Sequence, residues 1–237
     1  MHDQMNSTRR ALVGALLLIG GMTPNFLGLV RNARAMSKIP IVPGVQEFTG
    51  DFRINGVTAR IGQIVKPDDV ATTGPNGSAI IIVGQHAFML REDSEIEFYP
   101  EYFSEDEDGT VSGTLKVVSG AMLAVFGKTN NTKITTPLAT LGIRGTGCYV
   151  ESRPERTYAC VCYGRAEIIS TQTGDVLETV TTNHHDSPRY IYPSGAATLI
   201  EKAPVIDHTD VELRLLESIV RRKPPFDTGD APESGTY

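Results

Sequence analysis

Three stretches, Val117-Val118-Ser119-Gly120, Ala139-Thr140-Leu141-Gly142 and Val161-Cys162-Tyr163-Gly164, place one short phrase at a constant interval of 22 residues. Upstream, Ala59-Arg60-Ile61-Gly62 and Ile81-Ile82-Val83-Gly84 repeat it at the same interval. Only the step from Gly84 to Gly120 breaks the period. Its excess matches the polar, acidic stretch from Tyr99 to Gly113, which reads as a loop insertion. A unit of this length holds two short strands and two turns, with the glycine supplying a positive φ or a tight corner. The chain therefore reads as all-β, either β-solenoid-like with one unit per rung or sandwich-like with the spacing incidental.

Strand side chains alternate between faces, so the repeat also sorts residues. The third and first positions before each glycine, Ala59/Ile61, Ile81/Val83, Val117/Ser119, Ala139/Leu141 and Val161/Tyr163, form the expected core face. The fourth and second positions include Arg60, Lys116, Cys160 and Cys162 and are expected to look outward.

Composition agrees with this reading. The 237 residues are 40% hydrophobic, enough for a packed core, and 23 glycines with no Trp favour short strands and turns over a helical bundle. A formal charge of −6 argues against a nucleic-acid partner, since no excess of cations is there to meet phosphate. Residues 1–35 read as an export signal of twin-arginine type: Thr8-Arg9-Arg10-Ala11-Leu12, an apolar run from Ala11 to Met22, and a small-residue exit at Ala33-Arg34-Ala35. Cleavage there would open the mature chain at Met36, whereas an uncleaved segment would anchor it to the inner membrane. The remaining span divides into a linker at 36–51, a β domain at 52–200, a C-terminal helix within 201–222 and a disordered tail at 223–237.

The residues Gly74-Pro75-Asn76-Gly77-Ser78-Ala79, the strands at Leu90 to Ile96 and Leu115 to Val125, and above all Thr135-Thr136-Pro137-Leu138-Ala139-Thr140-Leu141-Gly142-Ile143-Arg144-Gly145-Thr146 resemble the FecR-like domain of the bacterial envelope. The resemblance covers about Phe52 to Glu178. It implies a β-solenoid-like periplasmic domain without catalysis and with an envelope protein as partner. Family regulators carry an anti-sigma domain before a membrane helix; with ten residues before the apolar run, such a domain is not expected here.

The segment richest in chemistry is Gly147-Cys148-Tyr149-Val150-Glu151, the turn Ser152 to Arg156, and Thr157-Tyr158-Ala159-Cys160-Val161-Cys162-Tyr163. Cys160 and Cys162, two apart on a strand, project to one face. A turn centred on Pro154 would set Cys148 opposite Cys160. One period beyond Cys162 lands on His184, which is expected above the sulfurs, with His185 pointing away and standing as the alternate ligand. Three thiolates and an imidazole suit a zinc ion; an iron–sulfur cluster is the other option, and a twin-arginine route, which carries folded proteins, fits a cluster. The expected metal ligands are thus Cys148, Cys160, Cys162 and His184. The other readings are that the cysteines simply pack, or that Cys148 and Cys160 form a bridge.

Other motifs read as structural. Asn183-His184-His185-Asp186-Ser187-Pro188 could supply a metal ligand or a base, or be an ordinary surface turn. Asp207-His208-Thr209-Asp210 reads as a helix start, with Thr209 as N-cap and Glu212 completing a capping box, rather than as a ligand pair. The helix would run to about Arg222 with an apolar stripe of Val211, Leu215, Leu216, Ile219 and Val220, closing the solenoid or covering the cysteine face. Glu105 to Asp108 reads as a solvated loop tip, and Gly142 to Gly147 lacks the spacing of a phosphate loop. No nucleophile, base and orienting group can be assembled from these motifs, so a non-enzyme is expected.

Overall fold

The computed structural model describes residues 41–99, 104–105, 111–127 and 132–227. The expected export signal, most of the acidic loop tip and the end of the tail lie outside the described residues. Seven strands come first: β1 (Gly44–Thr49), β2 (Phe52–Ile54), β3 (Val57–Thr58), β4 (Val70–Thr73), β5 (Ser78–Val83), β6 (His86–Leu90) and β7 (Glu95–Phe98). A short hairpin of β8 (Ser104–Glu105) and β9 (Val111–Ser112) occupies the insertion. Then follow β10 (Thr114–Val125), β11 (Thr132–Thr135), β12 (Ala139–Arg153), β13 (Arg156–Ser170), β14 (Val176–Thr182), β15 (Arg189–Ile191), β16 (Ile200–Lys202) and the helix α1 (Asp210–Ile219). The chain is all-β with one short C-terminal helix, and its main sheet has 14 strands that do not close. Gly44–Thr49, in the span read as linker, is a strand: Val45 is fully buried and the segment pairs antiparallel with β5.

Among the described pairings only β10 with β11 is parallel; the rest are antiparallel. The 22-residue recurrence therefore marks corners in long antiparallel strands rather than stacked rungs. Gly120 in β10, Gly145 in β12 and Gly164 in β13 have φ of +73°, +56° and +91°, a region closed to most side chains. At each corner the strand exchanges partners. β10 pairs with β7 before Gly120 and with β6 and β12 after it; β12 pairs with β11 before Gly145 and with β10 after it.

The corners also reset which residues face the core. In β10 the core takes Leu115 and Val117, then Met122 and Ala124. In β12 it takes Ala139, Leu141 and Ile143, then Cys148 and Val150; in β13, Ala159 and Val161, then Ala166 and Ile168. Odd positions point inward before each corner in these three strands and even positions after it, because the extra residue of a bulge shifts the alternation by one. The sheet wraps around this core, and edge-to-face contacts of Phe88 with Phe98 and Phe126, at 5.9 and 5.8 Å, tie its halves together.

The face rule drawn from the repeat holds for Ile81, Val83, Val117, Ala139, Leu141 and Val161, all buried. It fails at Ile61, which is 61% exposed in a turn. Tyr163, next to the Gly164 corner, is turned out to α1, where its hydroxyl donates to Glu217. That outer face is buried too: Ala87 and Met89 of β6 and Ala121, Leu123 and Val125 of β10 are covered, and α1 packs on these two strands. α1 starts as expected, with Thr209 as N-cap and a complete capping box to Glu212. It buries Leu213 and Leu216, with Val220 just beyond its end, while Val211 of the expected stripe is exposed.

Gly147 is the position where space decides. A Cβ there would lie 2.5 Å from Cε1 of Tyr163, whereas one on Gly142 would meet nothing nearer than Glu167 Cβ at 3.9 Å. Gly147→Ala should therefore cost about 1–3 kcal/mol by displacing the Tyr163 ring. Gly142→Ala should stay within about 0.5 kcal/mol. Urea denaturation of the two variants checks the contrast.

Candidate metal centre

Parity within β13 sends Tyr158, Cys160 and Cys162 to the outer face, where all three are buried under the C-terminal segment. Tyr149 and Glu151 of β12 share that face, opposite Cys160 and Tyr158. Cys148 does not. The β12–β13 turn consists of Pro154 and Glu155, with Arg153 opposite Arg156, so its centre lies between the two residues instead of on Pro154. Cys148 consequently pairs with Val161 and points into the apolar core. A slip of one residue moves a side chain to the other face, and the three sulfurs expected together are split two and one. All three cysteines are free thiols, and a Cys148–Cys160 bridge is ruled out by the opposed faces. Two residues of strand put the Cα atoms of Cys160 and Cys162 about 6.6 Å apart, at the limit of disulfide reach.

After Thr182 the chain leaves β14 in a turn held by Thr182 Oγ1 donating to Asp186 Oδ2 at 2.8 Å. Within it the His185 N–H donates to Cys162 O at 2.9 Å, and His185 adopts φ +50°. This left-handed conformation turns the ring inward and puts Nδ1 3.5 Å from Cys160 Sγ. His184, the residue expected over the sulfurs, instead donates Nε2–H to Asp210 Oδ1 at 2.8 Å and keeps a third of its side chain exposed. Strand alternation holds only to the end of β14 at Thr182, and the turn reverses it.

The fourth donor comes from the helix start. His208 lies just before the N-cap; its Nδ1–H donates to Ile206 O at 2.6 Å and its ring stacks on Tyr149 at 4.8 Å. That fixes the tautomer, so Nε2 offers a lone pair, 3.1 Å from His185 Nδ1. His185 is fixed in the same way, its Nε2–H donating to Asp210 Oδ1 at 3.1 Å. Cys160 Sγ, Cys162 Sγ, His185 Nδ1 and His208 Nε2 all lie within 4.8 Å of one another. The capping box forms as expected, with Thr209 and Glu212 capping the helix, and one member of the apparent ligand pair, His208, still reaches the sulfurs while Asp210 binds His184 and His185.

The charges are arranged to match. Burial opposes ionisation of Asp210, yet the bonds from His185 and His184 hold its carboxyl down at about 2. Burial likewise works against a charged His185, but Asp210 and Cys160 raise it to about 9. The neighbouring Cys162 side chain, against burial, holds Cys160 well below the usual thiol range, with His185 and His208 adding to the effect. Burial and the Cys160 side chain push Cys162 well up, and its thiol donates to Cys160 O at 3.8 Å.

Cys160, His185 and Asp210 thus have the connectivity of nucleophile, base and orienting group, which sequence reasoning did not find. Cys160 is fully buried, and the 510 Å³ cleft beside Arg91 and Tyr149 reaches none of the four donors. Four protein donors with so little exposure would suit a structural metal site rather than a catalytic one, which keeps a position open.

Residues 69–167 match the family described as FecR protein. Over that span the chain is similar to a FecR domain. Two crystal structures of a Parabacteroides distasonis protein described as a "putative anti-sigma factor" are similar to it, each with a TM-score of 0.47 and 11% identity over 62% of this chain. The similarity spans 63% and 64% of those chains, just under two thirds of their length. No curated protein matches. The FecR match takes in Cys148, Cys160 and Cys162 but ends before His184, His185 and His208. The Gly-Ile-Arg-Gly-Thr run at 142–146 is the β12 corner, so in this FecR domain it serves as a bend.

The segment bearing His208 is also held outside the centre. Arg91 pairs with Glu212 at 2.7 Å and donates to Asp207 O at 2.8 Å, and Tyr158 donates to Pro204 O at 2.9 Å. Burial opposes the Glu212 charge, but Arg91 and the Thr209 bonds outweigh it and lower its pKa. A carboxyl depressed in the folded state stabilises above its unfolded value and loses that contribution as pH falls through the folded one. Arg91→Ala should therefore destabilise by about 1–2 kcal/mol at pH 7. The deficit should shrink as pH falls below the ordinary carboxylate value. Denaturant midpoints at several pH values check this.

Proposed function

We propose that this chain is a non-catalytic binding and sensing module of the bacterial envelope, exported by its twin-arginine-type leader to the periplasm, in which two cysteines of the FecR-matching span and two histidines beyond it hold one zinc ion. The ligands are Cys160, Cys162, His185 and His208. One observation carries the reading: two imidazoles, each locked by an outer acceptor, aim lone pairs at one point beside two sulfurs. Lone pairs 3.1 Å apart repel unless a proton or a cation lies between them. Outer partners that fix a ring in this way are the usual second layer of a metal site.

Distances favour a single ion over a cluster. Bonds of about 2.0–2.3 Å in a tetrahedron place ligand atoms about 3.3–3.8 Å apart. The 3.5 Å between Cys160 Sγ and His185 Nδ1 lies in that range, and the 4.8 Å limit on the whole set leaves no room to spread ligands over two irons. Soft sulfur and imidazole donors suit zinc. No helix among the described residues is long and apolar enough to cross a membrane. The FecR domain supports a regulatory role exercised through contact with another envelope protein.

Zinc added to metal-free protein should bind at one equivalent and release protons, because His185 and the cysteine pair must give theirs up. Cys162→Ser should abolish stoichiometric binding, while Cys148→Ser should retain one equivalent. Isothermal titration with elemental analysis checks both; equal loss in the two variants would contradict the assignment.

A further inference from the structure

The four donors belong to two separately held pieces of chain. Cys160 and Cys162 sit on β13, and His185 on the turn after β14, tied to β13 by its N–H to Cys162 O. His208, with Ile206 O and Asp210 that orient the two rings, belongs to the segment that begins α1. We propose that the ion is the latch of the C-terminal segment: bound, it fastens 206–222 over the outer face of β6 and β10, and its removal lets that segment open. This rests on the metal-site reading above and extends it to regulation.

Three observations support a latch rather than a passive rivet. First, α1 has ten residues, too few to persist as a helix away from its docking face. Undocking and unfolding of α1 are therefore one event. Second, its docking relies on polar contacts as much as on packing: Leu213 and Leu216 are buried, but so is Glu217, which accepts from Tyr163 and from Arg222 Nε at 2.6 Å. A charged group in the interface weakens docking relative to an all-apolar one. Third, at the centre itself the contacts that join sheet to helix segment without a cation are those of His185 with His208 and with Asp210, both at 3.1 Å, and of His184 with Asp210 at 2.8 Å, beside the Arg91, Tyr163 and Arg222 contacts outside it. Four coordinate bonds in place of those contacts add a constraint across the two pieces that either lacks alone.

Opening would bare a defined surface. Ala87, Met89, Ala121, Leu123 and Val125 make a continuous apolar strip on the outer side of β6 and β10, flanked by Tyr163. Metal occupancy would thus set whether the FecR domain presents a closed or an apolar face.

Hydrogen exchange read by mass spectrometry on the full chain, zinc-loaded and chelated, tests the latch. Amides of 206–222 should exchange on the order of tenfold more slowly with zinc, while those of the core strands β5 and β6 should change little. In His208→Ala, which keeps the three sheet ligands, the response of 206–222 to zinc should vanish, and His208→Cys should restore it. Bound zinc at one equivalent with unchanged exchange at 206–222 would overturn the latch and leave the metal site standing. Absence of stoichiometric zinc would overturn both. Should His208→Ala fail to fold, the zinc-against-chelator comparison on the unmodified chain and on His208→Cys decides alone.

Discussion

Which face of a strand a residue occupies is set by parity, and in this chain parity is reset at three glycine corners and fixed by one tight turn. Gly120, Gly145 and Gly164 let β10, β12 and β13 change partners partway along their length, each shifting the inward positions from odd to even. The Pro154-Glu155 turn then determines which residues of β12 and β13 lie opposite one another. Core, outer face and donor set all follow from these four points. Displacing any of them by one residue would bury charges and expose the core, a penalty that pins the register.

Much of this was legible in the sequence. The glycine recurrence marked turning points correctly at 62, 84, 120 and 164, because positive φ leaves a glycine requirement that sequence shows directly. Gly142 lies mid-strand without positive φ, and the true corner is Gly145, three residues on. The capping box of α1 was legible because its two hydrogen bonds are local. That Cys160 and Cys162 share a face needed only strand geometry.

The remainder was decided by contacts that sequence does not display. Cys148 falls on the other face from Cys160 because the two-residue turn and a turn centred on Pro154 differ by half a residue, which alternation amplifies into opposite faces. His184 and His185 exchanged roles because a left-handed residue in the turn interrupts the strand pattern. His208 was passed over because its neighbours already explained the segment as a helix start. A histidine beside an N-cap whose helix must cover two cysteines was the signal available, and helix start and ligand pair were not exclusive.

The centre itself joins the fold to its proposed role. Outer partners Asp210 and Ile206 O orient two imidazoles so that their ring nitrogens meet 3.1 Å apart, the place that the proposed zinc ion would take with two sulfurs beside it. Zinc X-ray absorption on the reconstituted full chain measures this most directly. A first shell of two sulfurs at about 2.3 Å and two nitrogens at about 2.0 Å is the predicted result. A shell of three sulfurs, or one made of oxygens, would contradict the register and the centre built on it.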